Sequence, residues 1–583
     1  MARSPIPLFV VSLVLAVPAV AAPVYEVAVT APGDVRDLLA EHLDVMKWRE
    51  YDDMTPEQLE RLYQAMPADA KDLLSTRGYF NPRIETAFTP ASGSTPAEIT
   101  LTVEPGEPVV IDKVDLRLDG PIRNDDDIER RERRALRAWT LKEGETFSQP
   151  GWDGSKKAAL LTLLADRYPT AKLAESRAVV DPGTDKAQLS AHYDSGPRYA
   201  LGALSVTGLN SYPRQIVERL AGFSEGDPYR QQTLLDFQTR LQNTPYFASV
   251  FVRADLDPAT ADAAPVNVDV VEGPQQKVSF GLGYSTDSGE RGEMNYRHVN
   301  VLDRGWIFDA GARLERDKQS AGVQLALPLD EKLYTWGGFA RYEHEDANNL
   351  TTDLYRYGVS RSRTSRDIDR SISLTYVGER ASIDSEPGSN YREALMLGWA
   401  WTRRDLDNPL NPRRGYAWRV ELAGAVEGVL TDTSFIRSYA KGAWYLPLGK
   451  KMGRMILRGE VGQVFARDGN DVPNDVLFRT GGSGSVRGYG YQDLGVKEGN
   501  AIVGGRVLGV VSAEYQYPVI KDWAAAVFAD AGNAAENWQN FDVAVGYGVG
   551  ARWSSPVGPL ALDLAYGQRD ARIRLHFSLD MSF

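Results

Sequence analysis

Gly481-Gly482-Ser483-Gly484-Ser485-Val486-Arg487-Gly488-Tyr489 separates two series of alternating segments in the C-terminal part of the chain. Five runs in which apolar and polar residues alternate follow this stretch, and the last of them ends at residue 583. Alternation with a period of two predicts β-strands that have one apolar and one polar face. Such strands suit a membrane β-barrel, whose outer face meets lipid and whose lumen is polar. An odd number of crossings places the stretch and the C-terminus at opposite ends of that barrel.

The same alternation precedes the Gly-rich stretch. Eleven segments lie between residues 275 and 461, and with the five later ones they predict a 16-stranded antiparallel barrel over residues 275–583. Short turns alternate with longer polar loops, as is typical of outer-membrane barrels. If the C-terminus is periplasmic, the Gly-rich stretch enters the barrel from outside. The apolar face of the last run consists of Ile573, Leu575, Phe577, Leu579, Met581 and Phe583.

Composition narrows the class of protein. The 583 residues carry a net charge of −13, from 66 basic and 79 acidic side chains, so we expect no nucleic-acid partner. The chain has no cysteine, which excludes disulfide scaffolds and thiolate metal sites. Residues 1–22 combine Arg3, an apolar run and small residues at the end, and this pattern predicts a secretory signal peptide. No later apolar run has the length of a transmembrane helix, which favours a closed barrel.

Between residues 23 and 274 the composition is that of a soluble α/β protein with three repeats. Two markers recur together. A glycine turn follows a strand-like run at Gly106, Gly196 and Gly273, and an aromatic residue follows the second helical pattern of each repeat at Tyr79, Tyr168 and Tyr246. These markers place the repeats at 23–106, 107–196 and 197–274, each in the order strand, helix, helix, strand, strand. The elements predicted in the third repeat are strands at 203–207, 251–256 and 266–271 and helices at 213–221 and 231–242.

Arg487 is the candidate site residue of the Gly-rich stretch. Glycines allow positive φ and close packing, so the stretch can fold back into a crowded lumen. A guanidinium buried there needs carboxylate partners, because an unpaired buried charge is strongly destabilising. Glu514 lies on the lumen face of the next strand, and Asp530 can face the same way on the strand after it. We therefore expect Arg487 to pair with both through its planar fork. The alternative is a solvated extracellular loop with an ordinary arginine.

The repeats and barrel together resemble the POTRA domains and barrel of the BamA/TamA superfamily of outer-membrane assembly proteins. Val486-Arg487-Gly488-Tyr489 is similar to the family's signature loop motif. Glu514 and the pattern Phe528-x-Asp530-x-Gly532 match the lumen residues that, in the family, accept hydrogen bonds from the arginine of that motif. The stretch at 407–415 resembles the family's periplasmic Pro/Gly turn. The resemblance also implies a C-terminal β-signal, although the family often has glycine where Ser578 stands. Its residues here are Phe577, Leu579, Met581 and Phe583.

The resemblance implies α+β periplasmic POTRA repeats followed by an all-β 16-stranded antiparallel barrel in the Gram-negative outer membrane. Three repeats point to the TamA-type branch, the outer-membrane half of a translocation and assembly module, because BamA usually has five POTRA domains and two-partner secretion transporters have two. The implied partners are a TamB-like protein anchored in the inner membrane, outer-membrane lipid, and client outer-membrane proteins such as autotransporters. A strand near 83–88 is the candidate for pairing with the TamB-like protein. The alternatives are a BamA-like general assembly factor, a two-partner-secretion-type transporter and a passive pore.

The implied mechanism is a seam between the first and last barrel strands, which opens sideways to template a client strand and thins the bilayer. An unpaired strand edge in lipid is costly, which makes such a seam reactive. The first strand carries two glycines on one face, and this weakens its pairing. The predicted seam residues are Phe280, Gly281, Leu282, His576, Phe577, Ser578 and Asp580.

The sequence does not favour catalysis. The five histidines show no metal-ligand spacing, and residues 481–485 are not a nucleophile elbow because position 485 is serine. The acidic stretch at 468–475 lacks the residue order and the closing Glu of an EF-hand, which favours a solvated surface loop over a calcium site. We therefore expect a protein that is not an enzyme and that uses neither a metal nor another cofactor.

Overall fold

The computed structural model describes residues 25–582, except 52–53, 93–94, 410, 429, 450–451, 468–470 and 556–557. The predicted signal peptide at 1–22 and the terminal Phe583 lie outside the described residues. Within the described ranges, no helix combines the length and apolar character needed to cross a membrane. The chain divides into two compact units. One contains the residues up to Ala203 with Ser224–Thr233 and Ala254–Val266, and the other contains Leu204–Phe223, Leu234–Arg253 and Asn267–Phe583.

The first repeat is a three-stranded sheet packed against helices. Its elements are β1 (Tyr25–Thr30), α1 (Gly33–His42), α2 (Asp44–Lys47), a 3-10 turn (Trp48–Glu50), α3 (Pro56–Ser75), β2 (Arg83–Thr89) and β3 (Ala97–Glu104). β3 lies between a parallel β1 and an antiparallel β2, so β2 is an edge strand. The alternate residues Ile99, Leu101 and Val103 of β3 are buried in the core. α3 begins with a capping box, in which Thr55 and Gln58 each bind the other's backbone N–H.

The second and third repeats have the same strand order, with the last strand in the centre of each sheet. The elements of the second are β4 (Val110–Asp119), a 3-10 turn (Pro121–Asn124), α4 (Ile128–Ala138), α5 (Gln149–Leu164), β5 (Lys172–Asp181) and β6 (Lys186–Asp194). Those of the third are β7 (Leu201–Thr207), α6 (Gln215–Glu218), α7 (Gln231–Gln242), β8 (Phe247–Ala254), a 3-10 stretch (Pro258–Ala263) and β9 (Ala264–Glu272).

The strands predicted at 203–207 and 266–271 are each longer by two or three residues, at Leu201–Thr207 and Ala264–Glu272. Two other elements of the third repeat differ more from the sequence prediction. The helix expected at 213–221 is regular over four residues, because the N–H groups of Leu220 and Ala221 bind carbonyls three positions back instead of four. The strand expected at 251–256 begins at Phe247 and ends at Ala254. The helix predicted at 231–242 has the observed bounds of α7.

The barrel is closed and antiparallel, and each strand pairs with the next. Eleven strands come first: β10 (Gln276–Ser285), β11 (Gly289–Val301), β12 (Trp306–Glu315), β13 (Lys318–Ala326), β14 (Thr335–Ala347), β15 (Leu350–Thr364), β16 (Ile368–Ile383), β17 (Asn390–Leu406), β18 (Gly415–Ala425), β19 (Phe435–Pro447) and β20 (Arg454–Ala466). The lumen loop, residues 467–506, follows and contains a hairpin of β21 (Val496–Glu498) and β22 (Ala501–Val503). Five more strands complete the barrel: β23 (Val507–Ile520), β24 (Trp523–Ala535), β25 (Ala544–Ser555), β26 (Gly558–Gly567) and β27 (Arg572–Ser582). The predicted fold class is therefore confirmed, including the count of strands on each side of the Gly-rich stretch.

The two faces of the barrel strands differ in polarity. On β10 the alternate apolar side chains, which are Val278, Phe280, Leu282 and Tyr284, are 41–61% exposed. Carboxylates such as Glu379 and Glu514 are instead buried. An apolar outer face and a polar interior are the arrangement that the period of two predicts.

Within the second compact unit, the third repeat contacts the turn between β11 and β12. The Tyr246 hydroxyl donates to the carbonyl oxygen of Gly305 at 2.7 Å. The Asn300 side chain donates to the carbonyl of Ser211 at 3.0 Å and accepts the N–H of Gly305 at 2.9 Å. A Cβ atom at Gly305 would lie 2.3 Å from Cδ1 of Ile216. Glycine at this position therefore permits the close approach.

Candidate functional site

The lumen loop folds into the barrel. Six of its buried apolar residues pack against wall residues in one cluster, and they are Val472, Val476, Phe478, Val486, Tyr489 and Leu494. Ala501 and Val503 pack in a second cluster with Leu350 and Ala381. Near the start of the loop, the Glu379 carboxylate accepts the N–H groups of Asn474 and Asp475 at 2.9 and 2.8 Å. Asp475 also pairs with Arg356. The expected solvated surface loop at 468–475 is therefore wrong for 472–475, because these groups find partners on the barrel wall; residues 468–470 lie outside the described residues.

Arg487 lies at the buried centre of the loop, with a side chain that is 2% exposed. Its Nε and Nη2 donate to the two carboxylate oxygens of Asp530 at 2.7 and 2.9 Å. Its Nη1 donates to Glu514 at 2.6 Å. The guanidinium carbon also lies 3.4 Å from the ring centre of Phe528. The structure thus brings Arg487 together with both carboxylates chosen from the sequence, and the alternative of a solvated arginine is wrong.

Charges that the sequence reasoning missed complete this arrangement. Asp563 on β26 lies 3.3 Å from Nη1 of Arg487. Arg552 on β25 donates to Asp563 at 2.5 Å and to Glu514 at 2.9 Å. The signal available for Arg552 was the alternation of its run, which placed it on the polar face. We name the whole set the ion-pair cluster, in which three arginines balance three carboxylates: Arg458, Arg487, Arg552, Glu514, Asp530 and Asp563.

The remaining residues of the loop motif are also fixed against the wall. Val486 and Tyr489 are buried, and the Tyr489 hydroxyl donates to the carbonyl of Val545 at 3.0 Å. Gly488 has a φ of +94°, and a Cβ atom there would lie 2.7 Å from the backbone nitrogen of Gly567. Position 488 therefore requires glycine both for its conformation and for space.

The seam is the pairing of β27 with β10. Among the described residues, five pairs are in register, from Gly281 opposite Ser582 to Ser285 opposite Ser578, whereas β10 and β11 share ten. Predicted seam residues Gly281, Leu282, Ser578 and Asp580 lie in this pairing, and Phe280 precedes its first pair. The side chains of the β-signal residues Leu579, Met581 and Phe583 lie outside the described residues.

The two remaining predicted seam residues, His576 and Phe577, precede Ser578 on β27 and lie outside that pairing. The carbonyl of Phe577 accepts the N–H of Thr286 at 2.9 Å, which extends the contact by one step. His576 as a member of the strand pairing is a wrong prediction, because β10 ends at Ser285 before it reaches this level. Instead, the buried His576 accepts the backbone N–H of Gly488 at Nε2, at 2.9 Å.

Two further sequence predictions concern a turn and metal sites. The described residues of the stretch at 407–415 lie between β17 and β18, and Asp407 accepts the N–H groups of Arg413 and Arg414 at 2.9 and 3.1 Å. In the part of the chain that the structure describes, no group of three or more potential ligand residues is placed to hold a metal ion.

Comparison with known proteins places this geometry in a family. Residues 271–583 match the model of the Omp85 superfamily domain, and residues 199–273 match the POTRA model, described as a surface antigen variable number repeat. Outer membrane protein assembly factor BamA of Neisseria meningitidis serogroup B is 24% identical over 592 residues, covering 88% of this chain and 72% of that protein. BamA of Neorickettsia risticii is 23% identical, covering 65% of this chain and 54% of that protein.

A solved structure shares the fold. The crystal structure of BamA from Haemophilus ducreyi lacking POTRA domains 1–3 aligns with a TM-score of 0.68 at 17% identity, covering 81% of this chain and 100% of that one. The matches to the Omp85 and POTRA models confirm, at the level of the superfamily, the resemblance drawn from the sequence. Because the Omp85 model matches more than half of the residues, the chain belongs to the Omp85 superfamily, as an outer-membrane β-barrel whose N-terminal POTRA domains lie in the periplasm.

Proposed function

We propose that this chain is a TamA-type outer-membrane component of a translocation and assembly module, which promotes the insertion and secretion of outer-membrane proteins such as autotransporters. The observation that carries the proposal is the short seam. In the part of the chain that the structure describes, β10 shares five pairs with β27 and ten with β11, and Gly281 and Gly283 within the short pairing offer no side chain for packing. A short pairing is the least costly one to open.

An opened seam would expose the edge of β10 to the client. Its free N–H and C=O groups can bind an incoming strand in the way that sheet edges accept added strands. In lipid these groups have no water to bind, so pairing with a client strand is strongly favoured. The docked lumen loop occupies the barrel interior and binds strands on both sides of it, from β14–β16 to β23–β26, which favours this role over that of a passive pore.

The TamA-type assignment is supported by three repeats before the barrel, which we propose as POTRA domains at 23–106, 107–196 and 197–274. The edge strand β2 is the proposed docking strand for a TamB-like partner. Deletion of 23–105 should abolish co-purification of that partner from membranes and leave the barrel folded. Continued co-purification would place the docking site elsewhere.

Reconstitution tests the assembly function itself. Liposomes that contain the full chain should fold an added autotransporter β-domain faster than empty liposomes or liposomes with an unrelated outer-membrane barrel. Steady single-channel conductance without any effect on client folding would favour the passive pore. Loss of outer-membrane proteins in general on depletion in cells would instead identify a BamA-like general factor.

A further inference from the structure

The lumen loop bridges the two sides of the seam. Ser483 binds Asp287, which lies in the turn directly after β10: the Ser483 N–H and hydroxyl both donate to Oδ2 of Asp287, at 2.8 and 2.6 Å. Five residues later, the N–H of Gly488 donates to Nε2 of His576 on β27 at 2.9 Å. One short segment of the loop therefore holds the first strand's turn and the last strand at once.

The two halves of this bridge also face each other. Because Nε2 of His576 accepts a hydrogen bond, a neutral ring carries its proton on Nδ1. That nitrogen lies 3.6 Å from Oδ1 of Asp287, and the two side chains are 4% and 13% exposed. The single Asp287 carboxylate therefore faces the loop with one oxygen and the last strand with the other.

We propose that Asp287 and His576 are positioning residues of a clasp, formed with Ser483 and Gly488, through which the docked lumen loop holds the seam closed. When β10 moves away from β27, Asp287 and His576 separate, and the loop segment between Ser483 and Gly488 can remain with one side only. Arg487 anchors this segment to carboxylates on β23, β24 and β26, all on the β27 side of the seam. Other parts of the loop bind Glu345 on β14, Arg356 on β15 and Glu379 on β16. Seam opening therefore breaks the bonds between Ser483 and Asp287 first.

Loop docking and seam closure then stabilise each other, and this coupling is reciprocal by thermodynamic necessity. Weakening the clasp raises the open population of the seam. Locking the seam in turn raises the stability of the docked loop. The inference concerns the seam on which the proposed function rests, but its test measures no client assembly, so either can fail without the other.

Hydrogen exchange of the full chain in liposomes tests whether weakening the clasp raises the open population of the seam. Asp287→Ala should speed exchange of the β10 amides at 281–285 about tenfold, which is the ratio expected when hydrogen bonds to a charged group are lost. Ser483→Ala should have a smaller effect, because the backbone N–H of residue 483 can still bind Asp287. The matched control is Asp353→Ala on β15, which removes a carboxylate bonded to His344 at 2.9 Å. Unchanged exchange at 281–285 in Asp287→Ala, or an equal increase on β14 and β15, would overturn the clasp.

A disulfide across the seam tests whether locking the seam stabilises the docked loop. Tyr284 and Leu579 are opposite each other in the seam, and the chain has no cysteine of its own. In Tyr284→Cys/Leu579→Cys, oxidation should slow proteolysis of the lumen loop severalfold relative to the reduced protein. In the same pair with Asp287→Ala added, oxidation should give little further protection, because the link between loop and seam is gone. Equal protection of the oxidised and reduced forms in the presence of Asp287 would overturn the proposal.

Discussion

A Cβ atom at Gly546 would lie 1.8 Å from the carbonyl oxygen of Arg487. The wall strand β25 therefore has no room for a side chain where the loop backbone passes. We expect Gly546→Ala to push the loop away from the wall at a cost of about 1–3 kcal/mol, the usual penalty for overpacking. Protease added outside intact cells should then cleave the loop. The control is Gly484→Ala in the same loop, where an added Cβ meets nothing within 4 Å and cleavage should stay at the wild-type level. Equal resistance of both variants would contradict the contact.

Removal of the Arg487 side chain should release the loop more strongly. Arg487→Ala leaves Asp530 without the guanidinium that binds both its oxygens, and breaking a buried pair costs about 3–5 kcal/mol. Arg487→Lys should rescue poorly, because one ammonium group cannot reproduce the fork on Asp530 while also reaching Glu514. Loop cleavage on cells and resistance of the barrel to unfolding measure both effects.

The matched control for this series is Arg316→Ala. Arg316 pairs with Glu290 where the side chains are 58% and 72% exposed, and exposed pairs contribute little to stability. In Arg316→Ala the lumen loop should stay as protected from protease as in the wild type. If Arg487→Lys behaved like the wild type, the fork geometry would not matter.

The alternation of residues was enough to predict much of this molecule. Each barrel strand must present an apolar face to lipid, so the strand count could be read from a period of two. The same period placed Glu514 and Asp530 on the lumen face, and burial of Arg487 then required them as partners. These inferences depend on positions within one strand or on adjacent strands, where sequence spacing fixes geometry.

Contacts between distant segments could not be predicted in this way. Ser483 and Asp287 are 196 residues apart, and their meeting depends on how deeply the loop enters the barrel. His576 was assigned to strand pairing because the sequence does not give the register of β27 against β10. Gly546 carries no sequence signal of its own, since its role arises from the position of a backbone oxygen on another segment.

The third repeat should respond to acid through Glu272. Burial raises the pKa of Glu272, but the N–H groups of Ser211 and Asn210, each donating at 2.8 Å, outweigh burial and hold its pKa below the usual value. A lowered folded-state pKa stabilises the fold above the unfolded-state pKa of about 4.3, and this stabilisation is lost as pH falls through the folded-state value. We expect amide protection at 210–211, corrected for intrinsic exchange, to be higher at about pH 6 than at about pH 3.

Glu272→Gln should remove this difference, because the side chain is then neutral at both pH values. Glu225→Gln in the same repeat is the control, since Glu225 is exposed, and it should keep the wild-type response. A wild-type protein with equal protection at both pH values would show that the Glu272 carboxylate does not hold the segment.

A disulfide that locks the seam should stop client assembly. Leu282 is opposite Met581 in register, and directly opposed residues in antiparallel strands lie about 5 Å apart, close enough for a disulfide. We expect Leu282→Cys/Met581→Cys to crosslink, to keep the barrel folded and to stop assembly of an autotransporter client until reductant is added. Leu282→Cys/Leu579→Cys is the register control, because Leu579 is opposite Tyr284 and should crosslink poorly.

The physical basis is that a covalently closed β10 has no free edge to offer. If client strands enter by pairing with β10, the disulfide removes the template while it leaves the POTRA domains and the outer surface of the barrel unchanged. Restoration by reductant separates this effect from misfolding, since a misfolded barrel would not regain activity. Full client assembly by a protein shown to be quantitatively crosslinked would exclude lateral opening, and the POTRA domains and thinning of the bilayer would then have to supply the function.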